Sequence, residues 1–270
     1  MDRLVRTVRE QVALGRLLPL GEASDAAWIT ENAAAAALRR VADALPGVRL
    51  GALAVELEGD GADAAPGGGA SGAVASEGGA SEGGASGGVV AGGRGAAPVG
   101  ALPYGPLRIT ADFAATPDDP LPRTAERLRA ALWATAREGV GMPVHAVDLA
   151  VTGLLDELPA PDAVIEGFVV EGEGPPELTD GPADGTADRV AAAALAVPGV
   201  LRLTRRLAGF GTGVRVRDTP DGRRVQVQLA VAAGYRPHTV ARAVSAAVAA
   251  AAADGAPGPV AAAVVVTGTR

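Results

Sequence analysis

Few residues in this chain are of types that perform chemistry, and each is weighed here against the spacing that its chemistry needs. There are two histidines, His145 and His238, neither beside a second ligand-type residue in the sequence. A metal site needs three or four ligands at regular spacing, so both read as surface or boundary residues. Asp118-Asp119 could form an acid–base carboxylate pair. They lie in TPDDPLP, a turn leading into a helix, where Asp commonly accepts from free backbone N–H groups. Gly209-Phe210-Gly211-Thr212-Gly213 is Gly-rich but precedes a strand pattern. A phosphate-binding loop follows a strand and opens a helix, so the order is wrong for a nucleotide site. No GxSxG, HExxH or GxxxxGK[ST] occurs. The expectation is no catalytic residue, no cofactor and no metal.

Two basic features remain. Arg202, Arg205 and Arg206 could contact an acidic partner, the chain's own acidic stretch included, or could edge a solvated turn. At the amino terminus Leu4, Val5, Val8 and Val12 share one helical stripe, with Arg3, Arg6, Arg9 and Arg16 around it. That predicts an amphipathic helix over 1–22, suited to its own domain, a partner or a membrane surface.

The elements that must carry these residues follow from composition and periodicity. Ala and Gly dominate and aromatics make up only 3% of the chain, so Val and Leu must build the core. All 24 basic residues are Arg, and the net charge of −7 argues against general nucleic-acid binding. There is no Cys, hence neither disulfide nor thiolate chemistry. No apolar run approaches the roughly 20 residues that span a bilayer. The amino terminus lacks the continuous apolar core of a signal peptide, so the expected location is cytoplasmic.

Two stretches cannot bury enough apolar surface to fold alone. Residues 59–102 contain ASEGGASEGGASGG and read as a disordered insertion. Residues 155–188 read as an acidic linker. They carry Asp156, Glu157, Asp162, Glu166, Glu171, Glu173, Glu177, Asp180, Asp184 and Asp188 without one basic residue, and an apolar run, AVIEGFVV, interrupts them.

Outside these stretches one pattern occurs twice. A helical period stops at Pro46-Gly47-Val48 and again at Pro198-Gly199-Val200. An early strand follows, GALAVEL in the first copy. In the second copy it is the first arm of a hairpin turning at Thr219-Pro220-Asp221-Gly222. Alternating strands come next at 107–113 and 225–231, then helices at 121–138 and 235–252, then closing strands ending in Val151-Thr152-Gly153 and Val266-Thr267-Gly268. Pro122, Thr124 and Arg127 match Pro237, Thr239 and Arg242 at one constant offset. The expected fold is α+β: two repeats of helix–strand–strand–helix–strand, each a three-stranded sheet with two helices on one face. The first repeat covers 23–154 and the second 189–270.

Ile29-Thr30-Glu31, an Ala-rich helix and Leu45-Pro46-Gly47-Val48 resemble the opening of the bacterial alkaline-shock-protein domain, and Val197-Pro198-Gly199-Val200 resembles it again. The likeness is to tandem, Gly/Ala-rich versions from high-GC bacteria, some of which carry a nucleopolyhedrovirus family label. It implies a non-enzymatic cytoplasmic scaffold that joins protein partners at the inner face of the membrane, supports envelope stress tolerance and self-associates. The alternatives are an RNA-binding module, or an enzyme whose site has no recognised motif.

Overall fold

The computed structural model describes residues 15–58, 97–98, 100–155, 185–206 and 213–270. The stripe from Leu4 to Val12, most of the Gly-rich insertion, most of the acidic linker with AVIEGFVV, and Gly209–Thr212 all lie outside the described residues. Among those described, the chain is mixed α+β, with four helices and two sheets.

In chain order the elements are strands β1 (Leu17–Leu20) and β2 (Ala27–Thr30), helix α1 (Glu31–Asp43), β3 (Val48–Leu57), β4 (Leu107–Ala115), α2 (Leu121–Ala134) and β5 (Val144–Leu154). Then come α3 (Thr186–Leu195), β6 (Val200–Leu203), β7 (Val214–Thr219), β8 (Gly222–Val231), α4 (Pro237–Ala251) and β9 (Val260–Thr269). A short 3-10 turn covers Ala23–Asp25, and a single π-turn extends α2 over Thr135–Val140.

The periodicities account for most of these elements. In β4 residues 107, 109, 111, 113 and 115 are buried and their neighbours are not, as one covered face requires. α1 starts where the Thr30 hydroxyl accepts from Ala33 N–H (3.3 Å), and ends before Gly47, whose φ of 74° turns the chain into β3. Pro122 and Pro237 sit in the first turns of α2 and α4, where an absent N–H costs least.

The first sheet runs β3-β4-β5, with β4 antiparallel to β3 and parallel to β5. In the second, β8 is antiparallel to β6 and β7 and parallel to β9. This sheet has six strands rather than three: β2 lies parallel beside β9, and β1 pairs antiparallel with β2. Residues 17–30 therefore belong to the carboxy-terminal sheet. Leu17–Leu20 is a strand, not the end of a helix over 1–22, because all four of its residues are buried against β2. Two further boundaries move. Ala101 and Leu102 pair with Leu17, so the insertion ends before them, and α3 begins at Thr186 rather than at 189.

Both sheets share one apolar cluster. It joins Ile29, Leu38, Ile109, Phe113 and Leu128 to Val225, Val227, Val244 and Val264. Ala-rich α1 makes this possible, since its short side chains pack on β3 and also on β9. A smaller cluster lies on the other face of the second sheet, where Leu17, Trp28, Ala263 and Val265 are met by Ala101 and Tyr104.

Candidate functional site

The polar groups whose types could do chemistry are scattered. His145 is exposed at an irregularity in the β4–β5 register. Neither Asp118 nor Asp119 caps α2, because Pro120 occupies the cap position. Asp118 instead accepts from the Thr116 hydroxyl (2.7 Å), and Asp119 pairs with Arg127 (3.0 Å). With Pro46, Gly47 and Thr124 they line a cleft of ≈ 80 Å³, space for a few waters. Gly213 has φ of 80° and its carbonyl accepts from Gln228 N–H (2.8 Å), an ordinary loop contact. Among the described residues no three His, Asp or Glu side chains converge where they could hold a metal ion.

His238 has the most specific surroundings. Its Nε2 lies 2.8 Å from Asp25 Oδ2, while Arg242 Nε lies 3.3 Å from Asp25 Oδ1 and Glu22 N–H donates to the same carboxylate (2.9 Å). Burial pushes the Asp25 carboxyl up. The Glu22 N–H and the hydrogen bond and charge of His238, helped by Arg242, outweigh it and hold the group below its ordinary value. Gly21 and Gly141 close around the pair: Gly21 N–H donates to Gly141 C=O (2.8 Å), and a Cβ on either glycine would collide with His238. Arg236 adds a bond to Arg137 C=O (2.7 Å). The 3-10 turn, the end of the π-turn and the start of α4 thus meet at one polar joint. A His–Asp pair could orient a nucleophile, but among the described residues no Ser or Thr hydroxyl is bonded to this imidazole. Its visible work is to fasten three segments together.

Sequence reasoning missed three buried arrangements. Asp25 was not singled out, since His238 lies 213 residues away. The Tyr104 hydroxyl both accepts from Ala27 N–H (2.8 Å) and donates to Ala27 C=O (2.9 Å), and its ring lies 5.3 Å from that of Trp28. Arg223 is 2% exposed. Asp218 holds it at 2.6 Å, and the carbonyls of Ala252, Asp254 and Gly255 accept from it, which ties the β7–β8 hairpin to the end of α4. No local motif announces any of these; only the pairing of distant strands creates them.

The two sheet faces turned away from the helices differ in charge. On the first, Arg108 of β4 stands opposite Glu56, and its guanidinium reaches Asp148 (2.5 Å) and Glu58 (3.4 Å). On the second, Arg217 of β7 stands opposite Arg224 of β8, Arg215 stands opposite Gln226, and Arg202 of β6 lies beside Ala230. Arg202, Arg217 and Arg224 are exposed and make no ion pair among the described residues. Arg205 and Arg206 are exposed just beyond β6. The predicted basic patch is therefore joined by hairpin arginines that its sequence neighbourhood did not indicate.

The chain matches no family model, no curated protein and no solved structure. No described helix is long and apolar enough to cross a membrane.

Proposed function

We propose that this protein is a non-enzymatic scaffold, built from two copies of a helix–strand–strand–helix–strand unit and working through protein partners. The observation that carries this reading is the contrast between its two outer sheet faces. On one, Arg108 is paired with carboxylates beside it, while on the other Arg217 and Arg224 stand opposite each other without an ion pair among the described residues. Open sheet faces on a firmly joined body suit docking better than turnover. The Asp25–His238 joint and the β2–β9 pairing would hold the two faces in fixed relation.

Duplication draws support from a shared detail. In β5 the ladder skips at Thr152, whose hydroxyl donates to Phe113 C=O (3.3 Å). In β9 it skips at Thr267, whose hydroxyl donates to Leu229 C=O (3.3 Å). Such bulges are specific local devices rather than defects. The resemblance of both Pro-Gly-Val turns to the alkaline-shock-protein domain makes a cytoplasmic role beside the cell envelope the natural setting.

The test is affinity purification of the tagged chain from its native cells after mild cross-linking, followed by mass spectrometry. The scaffold reading expects a reproducible partner protein. Recovery of the chain alone would remove it.

A further inference from the structure

The scaffold reading leaves the partner's chemistry open, and the arginine face supplies it. We infer that the outer face of β6, β7 and β8 docks an acidic, extended segment of a partner protein. This deepens the scaffold reading, on which it rests.

The cross-strand pair Arg217–Arg224 calls for an anion. Residues directly opposite in an antiparallel ladder have Cβ atoms about 5 Å apart, and like charges there destabilise the sheet. Arg217 and Arg224 occupy such a position. The corresponding position in the first sheet holds Glu56 and Arg108, with Asp148 beside them. At that site on β9 the neighbour of Arg224 is Ala261, followed by Ala262 and Ala263, so no carboxylate is on hand. An anion arriving from outside removes the repulsion, and the planar guanidinium accepts a carboxylate in bidentate fashion.

The geometry of β7 suits an extended segment. Arg215 and Arg217 alternate on one face of β7, so they repeat at roughly 6.7 Å, the spacing of alternate side chains in any extended strand. Among the described strands β7 pairs only with β8, and addition of a strand along a sheet edge is a recurring mode of peptide docking. An extended segment with an acid at every second residue would set one of its carboxylates against Arg217 and Arg224.

The makeup of this face favours a protein over a nucleic acid. Single-stranded nucleic acid is held by aromatic platforms as well as by charge. This face offers Arg202, Arg215, Arg217, Arg224 and Gln226, with no ring among them.

The experiment is a fluorescence-anisotropy titration of the full chain. The probe is a labelled peptide of alternating Glu and Val, and single-stranded RNA of equal charge is run in parallel. The peptide should bind at about 50 mM salt and weaken as salt rises. Arg217→Glu with Arg224→Glu should weaken it by roughly tenfold or more, and Arg108→Glu should leave it unchanged. Residues 156–188 carry ten carboxylates, which would compete in cis if they reached this face. The titration is therefore repeated on a chain bearing Glu171→Gln, Glu173→Gln, Glu177→Gln and Asp180→Asn. Circular dichroism confirms that each variant folds. No peptide binding by either chain, or binding indifferent to the double substitution, overturns the inference. Tighter binding of RNA to the same arginines overturns it in favour of a nucleic-acid surface. Capture of a cellular partner by the double variant would sink this face while leaving the scaffold reading intact.

Discussion

His238 and Asp25, 213 residues apart in sequence, lie 2.8 Å apart and join the amino-terminal 3-10 turn to the first turn of α4. Asp25 is 13% exposed and His238 17%, so the pair is largely withdrawn from water. Replacing Asp25 by Asn takes away the charge that faces His238 and Arg242. The expected cost is about 1–3 kcal/mol, read as a fall in Tm by thermal denaturation at neutral pH. An unchanged Tm would mean that the joint is incidental.

The same pair sets a pH dependence. The Asp25 carboxyl is held below its ordinary value, so its contribution is present above the unfolded carboxylate value of about 3.9 and is lost as pH falls through the folded value. The stability difference between wild type and Asp25→Asn should therefore shrink as pH falls below about 4. Denaturant melts across that range check the sign. A gap that widened in acid would contradict it.

Gly21 and Gly100 both have positive φ, 65° and 81°, but only Gly21 is crowded. Alanine at Gly100 meets open space and bears only the backbone strain, about 1–2 kcal/mol. Alanine at Gly21 bears that strain and also displaces His238 and Asp25. Denaturant melts should show Gly21→Ala to be clearly the more damaging.

Tyr104→Phe should destabilise by about 1–3 kcal/mol, because Ala27 N–H and C=O lose the hydroxyl that serves both. Calorimetry would show this. Near-UV circular dichroism should also register a change at Trp28, whose ring the Tyr104 ring touches.

Much of the fold was legible. Alternating burial in β4, the Pro-started helices, and the turn at Pro220-Asp221 were all local patterns, and all stand near where the sequence put them. The six-stranded sheet was not legible. β1 and β2 are four residues each, too short for alternation to declare itself, and β2 runs beside a strand more than 230 residues later. Of the site, Arg202, Arg205 and Arg206 were visible as a cluster. Arg217 and Arg224 joined them only once the hairpin register set one opposite the other. The reading of His238 as a boundary residue missed Asp25, because nothing in either neighbourhood names the other.

A core shared between both sheets predicts one unfolding transition rather than two. Phe113→Ala in the first sheet should cost about 3–5 kcal/mol. It should lower the midpoint seen by Trp28, which belongs to the second sheet, when Trp133 is replaced by Phe to silence the other indole. A Trp28 midpoint that ignored Phe113→Ala would show two independent bodies.

The central claim is that the arginine face of the second sheet receives a protein partner. The chain has no lysine for amine-reactive reagents, so a photo-cross-linking residue is introduced at Gln226, on that face, and separately at Thr110, on the outer face of the first sheet. Irradiation in native cells should give a discrete adduct from position 226 that disappears with Arg217→Glu and Arg224→Glu. Equal labelling from both positions, or an adduct that survives the double substitution, would contradict the account.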